Sequence, residues 1–229
     1  MLAETLIALF SLIALEVILG IDNIIFISIL ADKLPENKRD KLRYWGIGLA
    51  MLIRVCLLGV ISWILELDSE LFKVFDISFS GKGVILIIGG VFLLYKSTKE
   101  IFYNTEDEHH SETGLIKKGS FKKLLSEIII LDLVFSIDSI ITAVGMVKEL
   151  WIMYTAVIVA VGIMLLASKP ISMFIQKHPS FKILALCFLM MIGVSLIGEG
   201  LHFVIPKGYI YFSMAFAFFV NTIQMKKIK

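Results

Sequence analysis

Long apolar runs separated by short polar segments dominate the chain. A membrane-spanning helix needs about 20 apolar residues, which rise 1.5 Å each across ~30 Å of hydrocarbon. About seven runs approach or exceed that length, and we expect a membrane-spanning helix at each. Their limits are residues 5–30, 44–66, 83–103, 124–147, 151–167, 183–204 and 208–225. The pattern therefore predicts an all-α, polytopic membrane protein.

The composition agrees with the pattern. Hydrophobic residues make up 58% of the chain and charged residues 18%, whereas soluble domains average about 45–50% and about 25%. The two cysteines both lie in apolar runs, which excludes a disulfide framework and a paired-cysteine metal motif. No basic residue precedes the first apolar run, so we expect a retained span and not a cleaved signal peptide.

The lysines and arginines are distributed unequally between the alternate connections. One set of segments and the C-terminal tail carry 17 of them, and the other set carries Lys73, Lys82, Lys148 and Lys207. Because basic residues accumulate on the cytoplasmic side, we expect the N-terminus outside and the C-terminus inside a bacterial cytoplasmic membrane. The net charge of only +2 gives no reason to expect a nucleic-acid partner.

One acidic motif occurs twice. The segment ALEVILGIDNII at 14–25 is similar to ILDLVFSIDSII at 130–141, and the predicted orientation makes the two helices run in opposite directions. This indicates an inverted 3+3 repeat with one additional helix, an architecture found in many secondary transporters. We expect a single transmembrane domain over 1–229. It would contain repeat one at about 1–103, a cytoplasmic linker at about 104–121, repeat two at about 122–204 and a last helix at about 208–225.

The polar positions of the motif are the candidate site. A charged side chain at bilayer depth costs at least ~2.5 kcal/mol, and such residues usually mark ion or proton pathways. If the two helices cross as antiparallel neighbours, Glu16 comes level with Asp138, and Asp22 with Asp132. Oxygen donors without Cys or His suit hard divalent cations. The candidate ligands are Glu16, Asp22, Asn23, Asp132, Asp138 and Ser139. Exchange of metal for protons follows naturally but is not required.

Other interpretations remain open beside this one. The carboxylates could form a structural network neutralised by Arg54, Lys96 or Lys169, and we interpret Arg54 as a salt-bridge partner and not as a substrate contact. The acidic run at 106–112 contains His109 and His110, which leaves metal capture or a solvated linker as alternatives. Gly89, Gly90 and Gly193 favour close helix packing.

The segments LEVILGIDN and LDLVFSIDS resemble the TerC family of bacterial membrane proteins, within the wider lysine-exporter-like superfamily. Further segments, among them SGKGVILIIGGVFLLYKSTKEI and LLASKPISMFIQKHP, resemble its compact, single-domain branch. The resemblance covers most of 1–222. It implies metal-ion homeostasis, chiefly manganese export, with the six candidate residues of the first and fourth helices as ligands.

Together these observations predict a non-enzymatic membrane transporter that exports a hard divalent cation, most plainly manganese. The alternative is a non-transporting membrane scaffold that assists insertion or metallation of other proteins. We expect no cofactor apart from the transported cation, and the lipid bilayer as the surrounding partner. Homo-oligomerisation is left open.

Overall fold

The architecture is helical along the part of the chain that the structure describes. This computed structural model describes residues 2–60, 69–74, 77–106, 120–203 and 205–227. These residues form seven helices: α1 (Leu2–Ala31), α2 (Glu36–Gly59), α3 (Gly81–Glu106), α4 (Phe121–Met146), α5 (Leu150–Lys177), α6 (Pro179–Gly200) and α7 (Lys207–Lys227). Five of them, α1, α2, α4, α5 and α6, are long and apolar enough to cross a membrane. The prediction of an all-α polytopic membrane protein is confirmed.

Several helix limits differ from the predicted spans. Helix α2 begins at Glu36, so most of the basic cluster at 33–43 lies in its first turns. Helix α5 continues through Pro170 to Lys177, ten residues beyond the predicted span. Proline is tolerated inside membrane helices, where neighbouring groups satisfy the carbonyl that loses its partner. The centre of the predicted linker, including His109 and His110, lies outside the described residues.

A short hairpin precedes α3 and was not predicted. Strands β1 (Glu70–Val74) and β2 (Ile77–Ser80) pair antiparallel, and the rings of Phe72 and Phe79 stack with centroids 5.2 Å apart. Ser80 then caps α3, because its Oγ accepts a hydrogen bond of 3.0 Å from the backbone N–H of Gly83. Such a cap satisfies one of the unpaired donors at a helix start.

The helices divide into two compact units that do not follow the order of the chain. The first combines residues 1–69 with 116–173, and the second combines residues 70–115 with 174–229. In the first unit α1 packs against α2 and α4, and α2 also packs against α4. The turn between α1 and α2 is fastened by Arg39, whose Nε donates to the carbonyl of Leu34 at 3.0 Å.

The second unit is centred on the packing of α3 against α6. A Cβ added to Gly90 would lie 2.5 Å from the carbonyl oxygen of Gly193, and one added to Gly200 would lie 2.5 Å from that of Gly83. The start of α3 thus faces the end of α6, and a later residue of α3 faces an earlier residue of α6, so the two helices are antiparallel. Close packing through Gly90 and Gly193 is confirmed, and the direction is the one that an inverted repeat requires.

Aromatic and charged contacts complete the second unit. The ring centroids of Phe174 and Phe181 lie 4.9 Å apart, which joins the end of α5 to α6, and those of Phe181 and Phe218 lie 5.0 Å apart, which joins α6 to α7. At the other end of α6, Glu199 pairs with Lys82 at 3.1 Å and with Lys207 at 4.0 Å.

Candidate functional site

The helical period brings polar residues of the first unit to two facing stripes. Glu16 and Asn23 are seven residues apart on α1, which places them on one face. Asp132, Ser136 and Ser139 follow each other at intervals of four and three residues on α4 and also share a face. The six sequence-predicted site residues are all buried, with exposed fractions between 1% and 9%.

Arg54 of α2 joins the two stripes. Its Nη1 pairs with Oε2 of Glu16, its Nη2 lies 3.7 Å from Oδ1 of Asp132, and its Nε donates to Oγ of Ser136 at 3.1 Å. One planar guanidinium thus contacts α1 and α4 at once, a geometry that the fork of arginine donors favours. The salt-bridge role predicted for Arg54 is confirmed.

The Asp132 carboxylate also accepts hydrogen bonds from two further side chains. Nδ2 of Asn23 donates to its Oδ1 at 3.1 Å, and Oγ of Ser136 donates to its Oδ2 at 3.1 Å. We call Glu16, Asn23, Arg54, Asp132 and Ser136 the Arg54 cluster. Its two carboxylates come from equivalent positions of the repeated motif, and its formal charge is −1 with both acids ionised.

A small cavity adjoins this cluster within the first unit. Its volume is about 20 Å³, which is room for about one water-sized group. Asn23, Arg54 and Asp132 supply its polar wall, whereas Ile47, Met51 and Met164 are among its apolar lining. The cavity is therefore polar only where the repeated motif and Arg54 meet.

The remaining predicted residues are buried but differ in their contacts. Among the described residues the carboxyl group of Asp22 has no hydrogen-bond or ion-pair partner, although its exposed fraction is only 6%. Ser139 donates to the backbone carbonyl of Ser136 at 3.2 Å. Asp138 is 3% exposed, and its backbone carbonyl accepts a hydrogen bond from Thr142.

The structure brings Glu16, Asn23 and Asp132 together, and it links Glu16 to Asp132 through Arg54. Pairing residues by their height along antiparallel helices matches Glu16 with Asp138. The sequence therefore did not predict the link from Glu16 to Asp132. Within the described ranges no group of three or more His, Cys, Asp or Glu side chains is close enough to hold a metal ion.

Gly20 has a packing role beside the site. A Cβ at this position would overlap Sδ of Met164, so the glycine lets the α5 side chain pack directly against α1. A glycine inside a membrane helix can permit either a close approach of a neighbour or a local break in the helix. Helix α1 continues from Leu2 to Ala31, and the close approach is what occurs.

Ser136 is the cluster residue that the sequence interpretation missed. Its exposed fraction is 0%, and its hydroxyl both accepts from Arg54 and donates to Asp132. The available signal was its spacing, because Ser136 follows Asp132 by four residues and therefore shares its face.

Comparisons with known proteins agree with this picture. The profile described as the integral membrane protein TerC family matches residues 1–228. A UPF0053 protein of Haemophilus influenzae is 49% identical over 97% of this chain and 94% of its own length. The UPF0053 inner membrane protein YoaE of Escherichia coli K12 is 48% identical over 93% of this chain, and YegH of the same strain is 44% identical over 96%.

The match covers only 41% of YoaE and 42% of YegH, so the chain spans less than half of these two relatives. No solved structure matches the chain. The membrane-crossing helices and the relative named as an inner membrane protein support a multi-pass location in the cytoplasmic membrane. With a profile match along nearly its whole length and a relative of similar size, the chain belongs to the TerC family of integral membrane proteins.

Proposed function

We propose that this protein is a membrane transporter that exports a hard divalent cation, with manganese as the expected cargo. The observation that carries the proposal is the meeting of Glu16 and Asp132, equivalent acids of a repeated motif, at Arg54 beside a small cavity with one polar wall in a membrane-spanning unit. Buried acids in membrane helices are costly and usually belong to ion or proton pathways. Proteins seldom accept that cost twice without using the groups.

The donor chemistry supports a hard cation. The cargo ligands in this proposal are the oxygens of Glu16, Asp22, Asn23, Asp132, Asp138 and Ser139, all buried. Carboxylate, amide and hydroxyl oxygens are the donors that manganese, magnesium and calcium prefer over zinc or copper. Protons released or taken up by the carboxylates would provide a coupling ion. The topology in this proposal has the N-terminus outside and the C-terminus in the cytoplasm, as the distribution of basic residues favours.

Asp22 provides the sharpest test. Its carboxyl makes no bond to another described side chain, so Asp22→Asn removes a charge and no contact. Replacing an unpaired buried charge by a neutral group of the same shape relieves a desolvation cost. We therefore expect Asp22→Asn to fold with unchanged or higher thermal stability and to lose cation flux.

The assay is manganese flux into liposomes that hold the purified protein and a manganese-quenched dye. Asp22→Asn and Asp138→Asn should reduce the flux to the protein-free background, and Glu149→Gln, which alters an exposed acid, should leave it unchanged. Wild-type flux in both Asp variants would make the carboxylates structural. Absence of flux with the wild-type protein would favour the non-transporting scaffold.

A further inference from the structure

We propose that Arg54 is the resident counter-cation of the site, and that a divalent cargo gains the Asp132 carboxylate only by displacing the guanidinium. This inference rests on the proposed transport function and deepens it. It makes Arg54 a positioning residue that sets cation affinity from within the protein, without touching the cargo.

The contacts of Arg54 are those of a bound cation. The guanidinium reaches a carboxylate on α1, a carboxylate on α4 and the hydroxyl of Ser136. Its exposed fraction is 3%, so water does not compete for these groups. Among the described residues Arg43 and Arg54 are the buried basic side chains. Arg43 pairs instead with Asp40 and Ser172, so Arg54 is the buried basic residue that contacts the acids of the repeated motif.

Asp132 cannot accept a second cation in this arrangement. Its Oδ1 accepts a hydrogen bond from Asn23 and lies near the Arg54 guanidinium, and its Oδ2 accepts a hydrogen bond from Ser136. Asn23 approaches through its amide nitrogen, which has no lone pair to give to a metal. A divalent ion bound to Asp132 would also lie beside the guanidinium, and like charges at such distances repel strongly in a buried site. Loading therefore requires Arg54 to leave and Asn23 to turn.

The cavity provides the space for that exchange. It is lined by Arg54, Asn23 and Asp132, and also by Ala50 and Met51, which lie on α2 with Arg54. At about 20 Å³ it admits a group of about the size of one water. A partly dehydrated cation could enter beside Asp132 as the guanidinium moves off. When the cation departs, Arg54 returns and neutralises the acids, which prevents the cargo from being held too tightly for release.

The test compares manganese binding by wild-type protein and Arg54→Ala in lipid nanodiscs, measured by titration calorimetry. Arg54→Ala should bind manganese with a Kd lower by about tenfold or more, because a close buried competitor has been removed. Millimolar guanidinium should raise the Kd of Arg54→Ala towards the wild-type value and leave the wild-type Kd unchanged. A purely structural arginine would not produce this rescue. Arg43→Ala is the matched control, because it removes the other buried arginine, which pairs with Asp40 and Ser172 outside the Arg54 cluster, and its Kd should stay close to wild type.

The inference would be overturned if Arg54→Ala folds, its Kd equals or exceeds the wild-type Kd, and guanidinium does not change it. That outcome would leave the transport proposal intact. If this variant does not fold, Arg54→Lys decides the matter. Its compact ammonium keeps the charge but cannot bridge both acids, so its Kd should fall below wild type, and an equal or higher Kd overturns the inference. Absence of manganese binding to wild-type protein overturns the proposed function, and the exchange with it.

Discussion

The glycine contacts between α3 and α6 allow a prediction of stability from geometry. In Gly90→Ala the new Cβ would lie 2.5 Å from the carbonyl oxygen of Gly193, 2.7 Å from Cγ1 of Ile197 and 3.1 Å from the Ile197 nitrogen. Two of these three atoms belong to the backbone, so rotation of a side chain cannot relieve the overlap. Because ordinary contacts begin near 3.4 Å, the helices would have to separate by most of an ångström.

The expected cost follows from two opposing effects. Overpacking a tight contact costs ~1–3 kcal/mol, and replacing a helical glycine by alanine returns roughly 0.5–1 kcal/mol. We expect Gly90→Ala to lower the free energy of unfolding by on the order of 1–2 kcal/mol, in line with these two magnitudes. Gly200→Ala should cost a similar amount, since its Cβ would lie 2.5 Å from the Gly83 carbonyl oxygen. Gly193→Ala should cost less, because its new Cβ would lie 2.9 Å from the Gly90 carbonyl oxygen, the nearest packed atom.

Reversible unfolding in mixed dodecyl maltoside and dodecyl sulfate micelles, followed by far-ultraviolet circular dichroism, measures these differences. The matched control is Gly162→Ala, a helical position where no packed neighbour lies within 4 Å of the new Cβ, and it should be neutral or slightly stabilising. If Gly90→Ala were as stable as Gly162→Ala, the close packing of α3 on α6 would not be a feature of the folded protein.

Two further predictions concern the first unit. Ser136→Ala removes a buried hydroxyl that contacts both Arg54 and Asp132 and should lower the free energy of unfolding by ~1–3 kcal/mol, whereas Ser126→Ala on the exposed side of α4 should have little effect in the same micelle assay. Gly20→Ala should destabilise the protein because its new Cβ overlaps Met164. Since the obstacle is a flexible side chain, adding Met164→Ala should restore part of the lost stability. If the two substitutions instead lowered the free energy of unfolding additively, the contact would be contradicted.

The sequence predicted the features whose signal lies within a single helix. Apolar runs located the helices because a bilayer requires long, continuous apolar segments. Arg54 in the middle of an apolar run indicated a buried salt bridge, since such a charge needs a partner. Gly90 and Gly193 indicated close packing, because small residues let membrane helices approach.

The features that the sequence did not predict depend on contacts between distant segments. The link from Glu16 to Asp132 depends on where α2 places Arg54, and no spacing within α1 or α4 contains that information. The fifth apolar run ended at residue 167, although α5 continues through Pro170 to Lys177. The hairpin at 70–80 contains only short strands, and such segments carry little periodic signal.

The repeated motif and its arginine together imply that the acidic positions are not equivalent. The motif supplies matching acids in α1 and α4, but the buried arginine that serves them comes from α2 and pairs with Glu16 and Asp132. Asp22 is buried without a partner among the described residues. Because an uncompensated buried carboxylate is costly, we expect an added cation to gain most at Asp22 and to compete with Arg54 at Asp132. Asn23, the residue that follows Asp22 on α1, donates a hydrogen bond to the Asp132 carboxylate that Arg54 also contacts.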